Sequence, residues 1–347
     1  MGMLNNQSQL GEGNMRENLS NIMNDPNFRV GQTKKEIVWK RNKATLYYYP
    51  SKSKKYKIPL FLIYSLINES YILDLYPGMS MIEAFGQEGY DVYLLDFGKP
   101  GYEDHDLTLD DYIIKYIQTA VKKTLVHSEA TELTIIGYCL GGTLATIYTA
   151  ICDEPVKNLI LFATPIDFER SPFLQTWSFA VKRGDIDIDS VIDAYGVIPA
   201  KLVYLALKMA IAPITFTSYM SLMERADDEE SVRKWLLFNK WVKGHIPFAG
   251  ATLKQLINVF KENQLIKDQL IIKGNKVKLA CIESNLLVLS TTGDQIVPEH
   301  LTTPIVEKVS SVDKQFKRLK GGHVTIAMRG EIPIEMVNWL SERSDLI

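Results

Sequence analysis

The sequence has little net charge, few cysteines and no long hydrophobic run. Its 39 Lys and Arg residues nearly balance 41 Asp and Glu residues, for a formal net charge of −2, so no strong field attracts nucleic acid or an anionic membrane surface. Only three of 347 residues are cysteine, without a Cys-x-x-Cys pair, which indicates free thiols in a reducing compartment. The longest apolar run, residues 202–216, contains Lys208 and Pro213 and is too short to cross a bilayer.

The first residues lack the pattern of a secretory signal. Residues 1–15 have neither a basic start nor the apolar stretch of about seven to fifteen residues that such a signal contains. Residues 1–30 are polar and rich in Asn, which predicts a polar N-terminal tail. We therefore expect a cytoplasmic protein without a transmembrane segment.

Short aliphatic runs separated by helical patterns organise most of the chain. They cover residues 59–67, 91–97, 133–138, 156–164 and 285–291, with a weaker run at 314–319 before an amphipathic helix at 332–343. A β-hairpin is predicted before them, over residues 36–49, with its turn around Arg41 and Asn42. This alternation predicts an α/β fold with a mostly parallel sheet and helices on both faces.

The alternation stops between about residues 170 and 275. That stretch is helix-like and aromatic, with Trp177, Trp235 and Trp241. Because it falls between the fourth and fifth parallel strands, we interpret it as an inserted helical cap over 170–275. The catalytic core is then formed by residues 31–169 and 276–347.

The stretch Gly137-Tyr138-Cys139-Leu140-Gly141 places a thiol between a predicted strand and a predicted helix. It matches the nucleophile elbow of the α/β-hydrolase fold, with Cys where Ser is usual. Glycines two positions on either side avoid collisions at this strained corner. The amide and positive end of the following helix favour a thiolate at Cys139, and the Leu140 amide faces a developing oxyanion. The next residue, Gly142, is interpreted as a close-packing position between helix and strand.

A thiol needs a base, and the elbow fold orders its residues as nucleophile, acid and histidine. Of five histidines, only His323 follows the last predicted strand and precedes the terminal helix. Asp294 follows the penultimate strand, where it would hold the imidazole in the tautomer that accepts the thiol proton. Asp96, near the end of the 91–97 strand, is the rival acid, but the chain order disfavours it.

The remaining candidates concern the oxyanion hole and the other thiols. The second donor is expected from the loop SLINESYILDLYPG (65–78) that follows the first parallel strand, so we nominate the amide of Leu66 or Ile67. Cys152 and Cys281 lie in apolar sequence settings and are predicted to be small core residues. No metal site and no cofactor-binding residues are predicted.

Several stretches resemble the polyhydroxyalkanoate synthases, particularly the short synthases of classes III and IV, and more the Bacillus-type class IV. The resemblance runs from about residue 30 to the end of the sequence. The stretches that carry it are KKEIVWKRNKATLYYY (34–49), YSLINESYILDLYPGMS (64–80), GYDVYLLDFGKPG (89–101), LTLDDYI (107–113), GYCLGGT (137–143), HIPFAG (245–250), GDQIVP (293–298) and GGHVT (321–325). Two departures are Gln295, where many members have His, and His245, where Gly is common.

The resemblance implies an activity, a substrate and partners. The family's catalytic Cys, Asp and His would fall on Cys139, Asp294 and His323. The substrate would be an (R)-3-hydroxyacyl-CoA, above all 3-hydroxybutyryl-CoA, and the products a polyester and free CoA, with no cofactor other than the CoA that the substrate carries. A small non-catalytic subunit, a homodimer or both would complete the enzyme at the surface of a polyhydroxyalkanoate granule.

Two other functions share part of these features. A cysteine-dependent α/β-hydrolase, such as a thioesterase or a dienelactone-hydrolase-like enzyme, would have the same triad but release an acid. A non-catalytic granule-binding scaffold would keep the fold, but the ordered Cys, Asp and His argue against it.

Overall fold

The computed structural model describes residue 22 and residues 28–171, 187–208 and 228–347. Most of the predicted tail, 1–30, lies outside the described residues. So do residues 172–186 and 209–227 of the predicted cap, and with them residues 209–216 of the longest apolar run.

An antiparallel hairpin opens the described chain. Its strands are β1 (Glu36–Arg41) and β2 (Ala44–Tyr49). Asn42 begins the turn with a φ of 51°, a left-handed conformation that Asn adopts more readily than most residues. The hairpin predicted around this residue is confirmed.

The hairpin joins six further strands in one sheet. They are β3 (Leu60–Ile63), β4 (Val92–Asp96), β5 (Leu133–Tyr138), β6 (Val156–Phe162), β7 (Asn285–Thr291) and β8 (Lys314–Leu319). The order of the strands in this eight-stranded sheet is β1-β2-β4-β3-β5-β6-β7-β8. The strands from β3 onward pair in parallel, while β2 pairs antiparallel with β4. Each of the six runs predicted as parallel strands is confirmed, and the nearly continuous burial of β3 to β7 is expected of a sheet covered on both faces.

Helices cover the two faces of this sheet, and each face has its own large cluster of buried side chains. The second helix is π-helical in its first half and α-helical in its second. The helices are α1 (Met81–Glu88), α2 (Asp111–Gln118, then Thr119–Ser128), α3 (Leu140–Thr149), α4 (Ile188–Tyr195), α5 (Glu229–Lys243), α6 (Gly250–Lys261), α7 (Glu299–Thr302), α8 (Ile305–Lys308) and α9 (Ile334–Ser341). The predicted terminal helix is α9. No helix within the described ranges is long and apolar enough to cross a membrane.

The described part of the 170–275 insertion is mainly helical, with α4, a helix over 200–208, α5 and α6. A short antiparallel pair, Val197–Ile198 with Phe248–Ala249, links the residues after α4 to the residues before α6. Leu256 and Val259 of α6 pack in the same buried cluster as strands of the sheet. The limits of the cap and of the two core segments stay predictions.

Candidate active site

Cys139 lies at a sharp corner between β5 and α3. Its φ of 53° and ψ of −128° are a rare combination for a residue with a side chain, and such strain is concentrated at functional sites. The residue is partly exposed. The predicted elbow conformation is therefore present at this cysteine.

Glycines allow α3 to lie close to the sheet. A Cβ on Gly137 would overlap the backbone of Gly142, and a Cβ on Gly141 would overlap the carbonyl of Ile63. Gly142 itself faces Thr164 with no room for a side chain, in agreement with its interpretation as a packing position. The corner is therefore possible only with this glycine spacing.

The His323 imidazole and the Asp294 carboxylate form a hydrogen-bonded pair. His323 Nδ1 lies 2.7 Å from Asp294 Oδ2, and the two side chains are 10% and 0% exposed. The other carboxylate oxygen of Asp294 accepts hydrogen bonds from the amides of Ile296 at 2.9 Å and Val297 at 2.8 Å. These amides fix the carboxylate, which in turn fixes the ring and leaves Nε2 to face a reacting group.

His323 also reaches the thiol. Burial lowers the pKa of the imidazole, but the negative charges of Asp294 and of the Cys139 thiolate, with a hydrogen bond to each, raise its pKa well above its ordinary value. The local field therefore favours a proton on His323 when the sulfur is charged. The structure thus brings Cys139, His323 and Asp294 together, as the sequence predicted.

The helix that follows Cys139 begins with the amide nominated as the first oxyanion donor. Leu140 is the first residue of α3, so its amide is one of the N-terminal amides that have no partner within the helix. The positive end of the helix dipole acts at the same place. This geometry supports the nomination of Leu140.

The loop after β3 contains the two nominated second donors. The Ile67 amide already donates to Ser65 Oγ at 3.2 Å. The Leu66 amide has no hydrogen-bond acceptor among the described residues, and Leu66 is almost fully buried. This difference favours Leu66 over Ile67.

Tyr138 is a site residue that the sequence reasoning missed. Its hydroxyl donates to the backbone carbonyl of His323 at 2.5 Å, and its ring stands at 90° to the imidazole with centroids 6.1 Å apart. Burial first, then the charges of Asp294 and Cys139, raises the pKa of Tyr138 well above its ordinary value, so the phenol keeps its proton. The available signal was a tyrosine in an otherwise aliphatic strand, directly before the nucleophile.

Asp96, the rival acid, is engaged elsewhere. Its carboxylate accepts hydrogen bonds from Ser70 Oγ at 3.2 Å and from the Gly98 amide at 2.8 Å. The Asp294 carboxylate, and not that of Asp96, is the one hydrogen-bonded to His323.

The prediction that Cys152 and Cys281 are core residues is wrong for Cys281, whereas Cys152 packs against the core as a partly buried residue. Cys281 is exposed because it ends a 3₁₀-helix, Leu279–Cys281, whose first residue is the buried one, and residues two apart in such a helix point in different directions. Cys152 is only partly buried, and its sulfur lies 3.7 Å from the carbonyl oxygens of Thr149 and Glu154. Both thiols line one polar depression of the surface.

Comparison with known proteins identifies both the fold and a set of relatives. The model of the α/β hydrolase fold matches residues 58–184, and the model of the poly-beta-hydroxybutyrate polymerase (PhaC) N-terminus matches residues 2–85. The chain is 30% identical to the poly(3-hydroxyalkanoate) polymerase subunit PhaC of Thiocystis violacea, over 99% of this chain and 96% of that protein. It is 32% identical to the subunit of the same name from Haloferax mediterranei, over 91% of this chain but only 65% of that protein.

Solved structures show the fold alone. A carboxylesterase structure from Nitrososphaera gargenis superposes with a TM-score of 0.50 at 16% identity, covering 88% of this chain and 97% of that one. An alpha/beta hydrolase fold protein from Nakamurella multipartita gives 0.50 at 14% identity, covering 89% and 98%. The predicted α/β-hydrolase fold is confirmed.

Proposed function

The chain belongs to the poly(3-hydroxyalkanoate) polymerase family, and on that premise we propose that Cys139 carries the growing acyl chain as a thioester. The enzyme is a polyester synthase, an acyltransferase in reaction type. In our proposal it polymerises (R)-3-hydroxyacyl-CoA, above all 3-hydroxybutyryl-CoA, and releases CoA. The observation that carries the assignment is the pairing of His323 with both Asp294 and Cys139 at the elbow.

Acylation begins with transfer of the Cys139 proton to His323. The sulfur attacks the thioester carbonyl, and the oxyanion is stabilised by the Leu140 amide and the Leu66 amide. The carbon–sulfur bond to CoA then breaks, and CoA leaves as a thiol with the proton that His323 held. One thioester replaces another at nearly equal free energy, so the acyl group stays activated for the next step.

Elongation transfers the acyl group to oxygen. The 3-hydroxyl of a neighbouring hydroxyacyl unit gives its proton to His323, assisted by Asp294, and attacks the thioester on Cys139. An ester bond forms, and the released Cys139 thiolate recovers the proton. A serine nucleophile would form an ordinary ester. Transfer of the acyl group from that ester to a hydroxyl would release less free energy, and hydrolysis would compete better with the transfer.

Water must be kept away from the acyl-enzyme if polymerisation is to exceed hydrolysis. The 170–275 insertion is the element that we propose for this role, because its α5 lies beside the loop after β3. We further propose that a small subunit, a second copy of the chain or both complete the enzyme, and that it works in the cytoplasm at the granule surface.

The test is to supply the purified protein with 3-hydroxybutyryl-CoA and to follow free CoA, soluble acid and insoluble polyester together. Polyester with CoA supports the synthase, whereas acid with CoA identifies a thioesterase. Cys139→Ala should abolish both products, and turnover retained by this variant contradicts the proposed nucleophile. If the protein shows no turnover and thiol reagents do not label Cys139, the protein is a non-catalytic scaffold.

A further inference from the structure

The loop after β3 is fastened to the residues that follow α5. The Ile246 amide donates to the Ile67 carbonyl at 3.0 Å, and Asn68 forms an isolated antiparallel bridge with His245. The contact joins residues about 180 positions apart in the chain, one set in the core and the other in the insertion. The loop after β3 therefore contacts residues outside the main sheet.

Two side-chain hydrogen bonds reinforce this contact, one donated by the insertion and one donated by the loop after β3. Trp241 Nε1 donates to the Glu69 carbonyl at 3.0 Å, and Asn68 Nδ2 donates to the Trp241 carbonyl at 3.2 Å. Asn68 and Trp241 are 7% and 9% exposed. Because buried polar groups are costly to leave unpaired, the two bonds hold one arrangement of the loop against alternatives. We call this pair the loop clamp.

The loop clamp lies close to the proposed second oxyanion donor. Strand β3 holds the start of the segment, since Ile63 pairs with Gly137 beside the elbow. The loop clamp holds its end at Asn68, two residues beyond Leu66. Between them the Ile67 amide bonds to Ser65 Oγ, so the Leu66 amide is presented from a short segment that is fixed on both sides.

We propose that Trp241 and Asn68 are positioning residues that set the Leu66 amide for the oxyanion formed on Cys139. This inference rests on the proposed function. Helix α5 of the insertion would then contribute to the chemical step itself. An amide that acts only on the transition state changes kcat, whereas it leaves the binding of substrate unchanged. Any displacement of α5 would change the acylation rate through the same two hydrogen bonds.

Trp241→Phe tests the proposal, because it removes the indole N–H and keeps an aromatic ring. We expect kcat for CoA release to fall about tenfold, less than the hundredfold or more for loss of an oxyanion donor, while KM changes less than about twofold. The rate at which iodoacetamide labels Cys139 should stay at the wild-type value, because alkylation needs no oxyanion hole. Trp235→Phe, on the same helix, is the matched control and should keep the wild-type kcat.

Asn68→Ala removes the other bond and should also lower kcat with KM and labelling retained. In the double variant the loss should be close to that of one single variant, because either substitution opens the same loop clamp. Unchanged kcat in both single variants, or a rise in KM alone, would overturn the inference. Slower labelling at Cys139 would also overturn it by showing general damage to the site. Wild-type protein that releases no CoA either alone or with a small synthase subunit added would instead refute the proposed function, and this inference with it.

Discussion

The hydroxyl of Tyr138 donates a hydrogen bond to the backbone carbonyl of His323 at 2.5 Å. Tyr138 directly precedes Cys139, whereas His323 lies 185 positions further along the chain. The strand that leads to the Cys139 thiol therefore also holds the loop that carries the proposed base. This bond couples the position of the loop that contains His323 to the strand that leads to Cys139.

Tyr138→Phe should slow CoA release about fivefold. The substitution keeps the ring and removes one hydrogen bond, whose net contribution is about 1 kcal/mol. Steady-state kinetics with 3-hydroxybutyryl-CoA would measure the effect. Tyr148→Phe is the matched control, because it also removes one buried phenol contact, to Glu154 at 2.8 Å, but away from the active site. Equal activity of the two variants would contradict a positioning role for Tyr138.

Asp294→Asn should lower kcat about a thousandfold or more. The amide cannot hold the imidazole in the tautomer that accepts the thiol proton, and a change of this kind has large effects in comparable triads. Asp96→Asn provides the comparison, since it alters the rival acid and should leave kcat within a few-fold. The opposite ranking of these two variants would reassign the acid.

The three cysteines should differ sharply in reactivity. Burial, then the charge of Glu154, raises the pKa of Cys152 to about 12, so this thiol should resist iodoacetamide near pH 8 in the folded protein. In a Cys281→Ser variant, which removes the exposed thiol, we expect one labelled site per chain, at Cys139. Mass spectrometry of the labelled peptides would check it, and label on Cys152 under folded conditions would contradict the prediction.

Protonation of His245 should lower the stability of the protein in mild acid. Burial lowers the pKa of this imidazole despite an opposing backbone hydrogen bond, and its Nδ1 has no hydrogen-bond partner among the described residues. The unfolded chain therefore binds this proton more readily than the folded protein, so the free energy of unfolding decreases as the pH falls below about 6.5, the ordinary value for His.

His245→Gln should weaken that dependence, because the amide does not titrate. Urea unfolding of the wild type and the variant at about pH 7.5 and pH 5 would measure the difference. The wild type should lose stability relative to the variant on going to the lower pH. Parallel losses in the two proteins would show that His245 does not contribute.

The sequence alone determined the sheet, the elbow and the chain order of the proposed triad. Strands buried on both faces appear as continuous aliphatic runs, and a corner at Cys139 needs glycines at fixed spacing. Both are local constraints that short stretches of sequence record. Because the α/β-hydrolase topology fixes which strand ends meet, Asp294 and His323 could be selected by their place after the last two strands.

Only the tertiary structure decided the contacts that hold these residues in place. The bond from Tyr138 to His323 and the loop clamp between Asn68 and Trp241 join residues more than 170 positions apart. No periodicity or spacing records which distant side chains will meet. The exposure of Cys281 likewise depends on the direction of one short helical turn. The preference for Leu66 over Ile67 depends on one hydroxyl, Ser65, that takes the other amide.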